Sequence, residues 1–419
     1  MKIAVVGGGS TYTPELIEGL VRRSQLQVDE IALHDIDESR LRIVGSLASR
    51  MVHAAGWEGR LAATSELDEA VTGADAVLLQ LRVGGQAARY KDETIPLQYG
   101  SLGQETTGAG GFMKALRTVP VVLDIARRVD KLAAPGAWIV DFTNPVGIVT
   151  RALLDDGHRA VGLCNVAIGF QRRIARLLQV DPDHVHLEQI GLNHLSWIRA
   201  VHVGGEDVLP QVIDRFGDEI AAEINVPVAL VRTLGAIPSY YLHYFYCQSE
   251  ALNDMKRGPT RAEQVMALEA DLLAMYADPT LTSKPALLEE RGGAYYSEAA
   301  ARLVSSLVNN TGDVQVVDVR NQGTIEGLPD DAVVEVPCVI DDEGAHPIPQ
   351  AALAPEMLGL IQHVTAYEQL TIQAALTGDR SIALRALLAN PLVGEWSVSM
   401  RMLDELIAAN VDDLPAYWS

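Results

Sequence analysis

The sequence predicts an α/β protein, with an N-terminal doubly wound parallel sheet followed by a C-terminal α+β domain. Three observations predict it. Short apolar runs alternate with helical patterns through the first ~165 residues, a glycine-rich turn links the first run to the first helix, and later the pattern shifts to longer helices with few strands. The strand-like runs are Ile3 to Val6, Glu30 to His34, Arg60 to Thr64, Ala76 to Leu81, Ala137 to Phe142 and Ala160 to Leu163. Between them Leu16, Leu20 and Val21, then Leu41, Val44, Leu47, Ala48 and Met51, recur at helical spacing. Thr13 before Pro14-Glu15 offers an N-cap, a proline at the first helical position and an early acid, so the first helix is expected directly after the glycines. In the second part, Trp197 to Val203 ends in the hairpin signal Gly204-Gly205. Helices are expected over Pro238 to Asn253, Arg261 to Tyr276, Tyr295 to Leu307 and Glu356 to Leu376. The last carries an apolar stripe, Met357, Leu360, Ile361, Val364 and Tyr367, suited to core packing or a subunit contact. The expected domains are residues 1–165 and 166–419, packed without a linker around a shared cleft.

The chain has 419 residues, of which 48% are hydrophobic and 21% charged, with 35 Gly and 19 Pro; this is globular usage and excludes a disordered or collagen-like chain. Lys and Arg number 33 against 55 Asp and Glu, a net charge of −22, which argues against nucleic acid and anionic membrane partners. An anionic small molecule would need a local cationic cluster. No apolar run reaches the ~20 residues that span a bilayer. The chain enters its first strand at once, and Cys164, Cys247 and Cys338 are an odd, widely spaced set, so a reducing, cytoplasmic setting is expected.

Gly7-Gly8-Gly9-Ser10-Thr11-Tyr12 follows the first strand and opens a helix, the place of a phosphate loop in a Rossmann-like sheet. Glycine lets the backbone turn tightly and approach a pyrophosphate, which the helix N-terminus then stabilises. Tyr12 stands where the usual fingerprint has a third glycine. Asp35, ending the second strand, supplies the carboxylate that accepts from an adenosine ribose and repels a 2′-phosphate, so NAD is expected over NADP. Gly7, Gly9, Ser10, Thr11 and Asp35 are the candidate cofactor residues. A glycine turn beside a solvated acidic loop is the plain structural alternative.

After the last strand of the first part comes Gly162-Leu163-Cys164-Asn165, and Gly191-Leu192-Asn193-His194 follows about thirty residues later. Taken alone, this cysteine and histidine read equally as a buried thiol and a core imidazole. The longer pattern is more specific. Gly103-Gln104-Glu105-Thr106-Thr107-Gly108, Asn144-Pro145, Tyr241-Leu242-His243-Tyr244, Arg291-Gly292-Gly293 and Gly327-Leu328-Pro329-Asp330-Asp331 join the glycine loop and the Cys164 and His194 segments in order. With them the sequence resembles glycoside hydrolase family 4, the NAD- and metal-dependent glycosidases, and within it the 6-phospho-β-glucosidases, over nearly the whole chain. Asn165 after the cysteine is similar to the β-specific branch.

The resemblance implies that Cys164 and His194 hold a divalent metal, typically Mn²⁺, with an open coordination sphere for sugar hydroxyls. It implies a redox-elimination route in place of the usual two carboxylates: hydride leaves C3 of the sugar for NAD, a base takes the C2 proton, the C1 substituent departs, water adds and hydride returns. The implied base is Tyr241. A phenol with a pKa near 10 needs a cation to serve at neutral pH, and the metal and Arg261 are the expected ones. Asn144, Asn165 and Asn193 are amides near inferred strand ends, suited to sugar hydroxyls and equally to turns and caps. Arg82 and Arg89, on the loop after the fourth strand, would form a bidentate phosphate clamp or stand as surface charges. A homodimer or homotetramer is implied as well. The glycine loop and Asp35 alone would serve an NAD-dependent sugar or hydroxyacid dehydrogenase, or a noncatalytic NAD-binding protein, equally well. A family-4 glycosidase acting on an unphosphorylated or differently charged sugar would also read much the same.

Overall fold

A computed structural model describes residues 1–22, 26–293 and 295–418. The N-terminal half builds six parallel strands: β1 (Lys2–Val6), β2 (Glu30–His34), β3 (Arg60–Thr64), β4 (Ala76–Leu79), β5 (Trp138–Asp141) and β6 (Ala160–Gly162). Their order is β3-β2-β1-β4-β5-β6, the Rossmann order, in which the direction of strand addition reverses between β1 and β4. β4 and β5 are buried at every residue and β1 at all but its first, as unbroken apolar runs require when helices cover both faces of a sheet. Registers such as Ile3↔Ile31 and Ile3↔Ala76 stack these side chains into one core.

The sheet does not stop at β6. The later strands are β7 (Val185–Leu192), β8 (Leu195–Val203), β9 (Glu206–Asp207), β10 (Ile237–Pro238), β11 (Asp313–Arg320), β12 (Val333–Asp341) and β13 (Gly344–Pro347). β11 pairs antiparallel with β6, and the order continues β11-β12-β7-β8-β10, giving one 13-stranded sheet. At the seam Gly162 lies opposite Asp318, and a Cβ on Gly162 would stand 2.3 Å from Thr150 Oγ1 and 2.7 Å from Asp318 Cβ. Only glycine lets the two halves join there.

Helices Arg261–Tyr276, Tyr296–Asn309 and Pro355–Thr377 form within two residues of expectation. The first helix starts at Thr13, whose hydroxyl oxygen accepts from Gln80 Nε2 at 2.8 Å and so ties the loop after β1 to the end of β4. The expected helix over Pro238 to Asn253 is a correction. Ile237-Pro238 pairs with Trp197 and Ile198 as β10, a 3₁₀ turn spans Tyr240–Leu242, and short helices His243–Tyr246 and Gln248–Met255 meet at Cys247, whose φ of −128° is non-helical. Pairing of the segment's start with β8 overrides its helical spacing, and Tyr241 falls on the tight turn.

Candidate active site

The carboxyl ends of β1, β2 and β4 frame a crevice at the point of reversal, where open α/β sheets take ligands. Gly7 has φ 91°, and a Cβ there would lie 2.8 Å from Gln80 O. Its N–H and that of Gly8 donate to His34 O at 2.9 and 2.7 Å. Gly9 N donates to Asp35 Oδ2 at 2.9 Å, and a Cβ on Gly9 would stand 2.8 Å from that oxygen. The loop is thus a cradle that a side chain would fill, with the Asp35 carboxylate drawn against it; these residues fit a dinucleotide. Ser10 Oγ accepts from Tyr12 N at 3.2 Å. Tyr12, in the place of a third glycine, donates its hydroxyl to Gly293 O at 2.6 Å. Thr11 is buried, donating to Glu269 Oε1 at 3.4 Å while its carbonyl accepts from Tyr276 at 2.7 Å.

Glu269 also binds Arg40 at 3.1 Å, Arg291 at 3.2 Å and Gln86 at 3.2 Å, so one buried acid fixes the floor of the crevice. No sequence motif marks it. A signal existed: Glu269 interrupts the buried stripe Ala262, Val265, Leu272, Tyr276 of its helix.

Cys164 follows β6 and caps helix Asn165–Leu178, while His194 lies in the two-residue turn between β7 and β8 with φ 63°, a left-handed conformation uncommon for a side-chain-bearing residue. Both are buried. Burial drives the imidazole down to about 3, with Glu105 opposing, so it is neutral at pH 7. Its tautomer follows from its neighbours. Gln104 Oε1 accepts from the Thr107 backbone N–H at 2.8 Å and must be the oxygen; it accepts the Thr106 hydroxyl at 2.8 Å, so Thr106 Oγ1, 3.1 Å from His194 Nδ1, is left to accept from Nδ1–H. The Nε2 lone pair is then available to an ion, with a fixed outer partner behind it. Burial pushes the Cys164 thiol up, and Glu335 adds to this, against hydrogen bonds from Val166 N–H and the Asn193 amide. A thiolate here calls for a cation. Among the described residues no group of three or more His, Cys, Asp and Glu side chains could hold a metal. A two-donor site with a neutral imidazole and a cation-demanding sulfur fits a catalytic ion that keeps positions open.

Tyr241 lies flat on His194, ring centroids 3.5 Å apart and planes 12° apart. Its phenol is raised well above its ordinary value by burial first and then by Cys164, while Arg89 pulls the other way. Arg89 is thus a protein cation that acts on Tyr241. Arg261 stands next to Arg89, donating to Gln264 Oε1 and to the carbonyls of Glu290 and Arg291, and forms no ion pair among the described residues. Arg89 is not on a loop, as its sequence context suggested, but buried in helix Gly85–Gln98. Its Nε donates to Glu93 at 2.7 Å and its guanidinium meets Glu105 at 3.2 Å. Arg82 also pairs with Glu105, and buried Lys114 contacts the same carboxylate at 2.8 Å. Burial alone would raise Glu105, but Arg82, Lys114 and Arg89 hold it well below the usual range. Arg82, Arg89 and Lys114 face Glu105 while Arg89 also faces Glu93, and burial brings the Lys114 ammonium down to about 7, so it is with Arg261 that the cleft keeps an excess of positive charge in a chain of net charge −22.

An open cleft of about 1520 Å³ is lined by Arg89, Glu105, Asn165, Tyr241, Tyr244 and Arg261 among others. Asn144 Oδ1 is buried without a hydrogen-bond partner, an orphan suited to a ligand hydroxyl or amide. Asn193 points inward instead: its amide donates to Asp318 at 3.3 Å and Glu335 at 3.2 Å. Gln104, Glu105 and Thr106 lie in the Gly103–Gly108 segment, yet their roles emerge only from the contacts.

Comparison with known proteins agrees with this geometry. Residues 2–180 match the family model for family 4 glycosyl hydrolases and residues 189–393 the model for the family's C-terminal domain. A Bacillus subtilis protein named "probable 6-phospho-beta-glucosidase" is 43% identical over 100% of this chain and 98% of its own length. The Thermotoga maritima 6-phospho-β-glucosidase BglT is 38% identical over 98% of each chain. A solved structure of the Thermotoga enzyme with manganese, NAD⁺ and glucose-6-phosphate superposes with a TM-score of 0.93 at 37% identity, covering 99% of both chains. A lactate dehydrogenase from a deep-sea metagenome shares the fold alone, with a TM-score of 0.58 at 14% identity. This chain belongs to family 4 of the glycosyl hydrolases.

Proposed function

We propose that the chain is a 6-phospho-β-glucosidase that depends on NAD and a divalent metal, Mn²⁺ foremost, and works by the redox-elimination route. The observation that carries this is the stack of Tyr241 on His194 beside Cys164, at the strand edge shared with the dinucleotide cradle. Relatives named 6-phospho-β-glucosidases are 37 to 43% identical, those named for α-glucosides 27 to 29%, which supports the β reading. The Thermotoga structure with its three ligands supports the cofactors and the phosphosugar.

Gly7, Gly9, Ser10, Thr11 and Asp35 would hold NAD, and Cys164 with His194 Nε2 the ion. When bound, NAD exchanges hydride with C3 of the sugar and the ion polarises the C3 oxygen, which makes the C2 proton removable. Tyr241 moves that proton; Arg89 favours its phenolate, and an ion held by Cys164 and His194 would offset the thiolate that otherwise raises the phenol. Arg261, with no carboxylate partner among the described residues, and Arg89 take the 6-phosphate, while Arg82 fixes Glu105 behind them. Asn144 and Asn165 meet sugar hydroxyls, and Asn193 orients the Cys164 loop. Three free cysteines, Cys164 needed as a thiolate, support a reducing cytoplasm, and no described helix is long and apolar enough to cross a membrane. The family resemblance supports a homodimer or homotetramer.

The test is turnover of 4-nitrophenyl β-glucoside with and without a 6-phosphate, with NAD and Mn²⁺ in heavy water. The expected result is cleavage of the phosphorylated substrate alone, deuterium at C2 of the released sugar and no net NADH. Steady NADH accumulation would mark a dehydrogenase and overturn the reading.

A further inference from the structure

The cleft has two ends of different chemistry. At one, Arg89, Glu105 and Arg261 surround the region next to Tyr241. At the other, the lining changes to Tyr240, Tyr295, Glu223, Arg173 and Arg176. None of these five has a part in holding the cofactors or moving the C2 proton.

Their arrangement is built rather than incidental. Tyr240 stacks on buried Phe170, centroids 4.8 Å apart at 22°, so one ring face rests on the core. Its hydroxyl donates to Glu223 at 3.1 Å, and Glu223 is held in turn by Arg173 at 2.8 Å. Tip and face are both fixed. Tyr295 enters from the far wall in a left-handed conformation, φ 65°, at the start of helix Tyr296–Asn309. Side-chain-bearing residues are uncommon in that conformation. Arg176 donates to its hydroxyl at 3.5 Å. Tyr295 is among the groups that raise the Tyr240 phenol, so the two rings are electrostatic neighbours across the cleft.

We propose that Tyr240 and Tyr295 are the walls of the leaving-group site and select a ring with a face to stack, aryl or pyranosyl, as the C1 substituent. The inference rests on the phosphoglucosidase reading: with the sugar over Tyr241 and its phosphate on Arg89 and Arg261, the C1 substituent has the aromatic end to occupy. Preorganised ring faces bind aryl or sugar rings at little entropic cost, whereas a methyl group reaches neither wall. Glu223, Arg173 and Arg176 form the polar rim, which accommodates hydroxyls on a pyranosyl substituent.

The experiment compares kcat/KM for phenyl and methyl 6-phospho-β-glucosides in the wild type, Tyr240→Leu and Tyr295→Leu. Dividing the phenyl-to-methyl ratio of each variant by that of the wild type cancels the intrinsic difference between leaving groups. Each variant is expected to lower that ratio about fivefold to tenfold, while the inhibition constant of glucose 6-phosphate, which lacks the substituent, stays within twofold. Tyr295→Leu is remote from Tyr241 in sequence and keeps the test decisive if Tyr240→Leu misfolds. An unchanged ratio in a folded variant overturns the proposal alone. Failure of the wild type to bind glucose 6-phosphate or turn over either glucoside overturns the phosphoglucosidase reading as well.

Discussion

The two sides of the sheet edge are made by different means. On the β1–β4 side the crevice is mostly main chain: glycines at close approach, N–H groups and one carboxylate supplied by neighbouring loops. On the β6–β8 side the site is mostly side chains, and its members, Thr106, Cys164, His194 and Tyr241, come from four separate segments. A site of the first kind is specified locally and tolerates change elsewhere. A site of the second kind depends on each partner, and single substitutions should separate the two functions.

The sharpest separation is expected from Tyr241→Phe. The phenylalanine keeps the stack on His194 but removes the proposed proton acceptor, so kcat should fall about 10²- to 10⁴-fold, the range of a lost general base. NAD affinity, measured by fluorescence titration, should stay within twofold. A comparable loss of NAD binding would show that the two sides are not independent.

Thr106→Val is expected to have a smaller and reversible effect. Valine keeps the shape but cannot accept from His194 Nδ1–H, so the ring loses the partner that fixes its tautomer and orientation. Outer partners of this kind are worth about 10- to 100-fold in metal affinity. The Mn²⁺ concentration for half-maximal activity should rise by that factor, with kcat recovered at saturation. Lost kcat at saturating metal would mean that Thr106 acts on the reacting atoms and not through the histidine.

The same contrast explains what could be read from the chain. The parallel strands, Gly7 to Gly9 and Asp35 are legible because each rests on a local rule: an apolar run, a helix start, an acid at a strand end. Cys164, His194 and Tyr241 carry no local signal and were reached through resemblance to a family. Thr106 and Glu269 act through contacts 88 and 258 residues away in sequence, to His194 and Thr11. The helix expected over Pro238 to Asn253 failed for a related reason, since its first residue is claimed by β8.

The two sides also bury acids differently. Under the crevice and along the cleft they are paired: Glu269 with Arg40 and Arg291, Asp92 with Arg117 at 2.6 Å, Glu105 with three cations. At the seam Asp141 and Glu368 have no ion pair among the described residues, and burial raises each to about 8. The sign follows from proton counts. Unfolded, these carboxyls titrate near 4; folded, they hold their protons to about 8. Between those limits the native state binds more protons, so this contribution is full below about pH 4 and lost as pH rises toward 8. The ceiling is about 1.4 kcal/mol per pH unit for each group, reduced by any water or rearrangement that eases the charge. Urea midpoints of the protein free of NAD and metal should therefore fall from pH 5 to 7.5. Glu368→Gln, whose amide replaces a carboxyl with one unpartnered buried oxygen, should flatten that fall by about 1 kcal/mol. An unaltered slope in Glu368→Gln would mean that the seam takes the charge without cost, and the distinction between paired and unpaired buried acids would lose its energetic content.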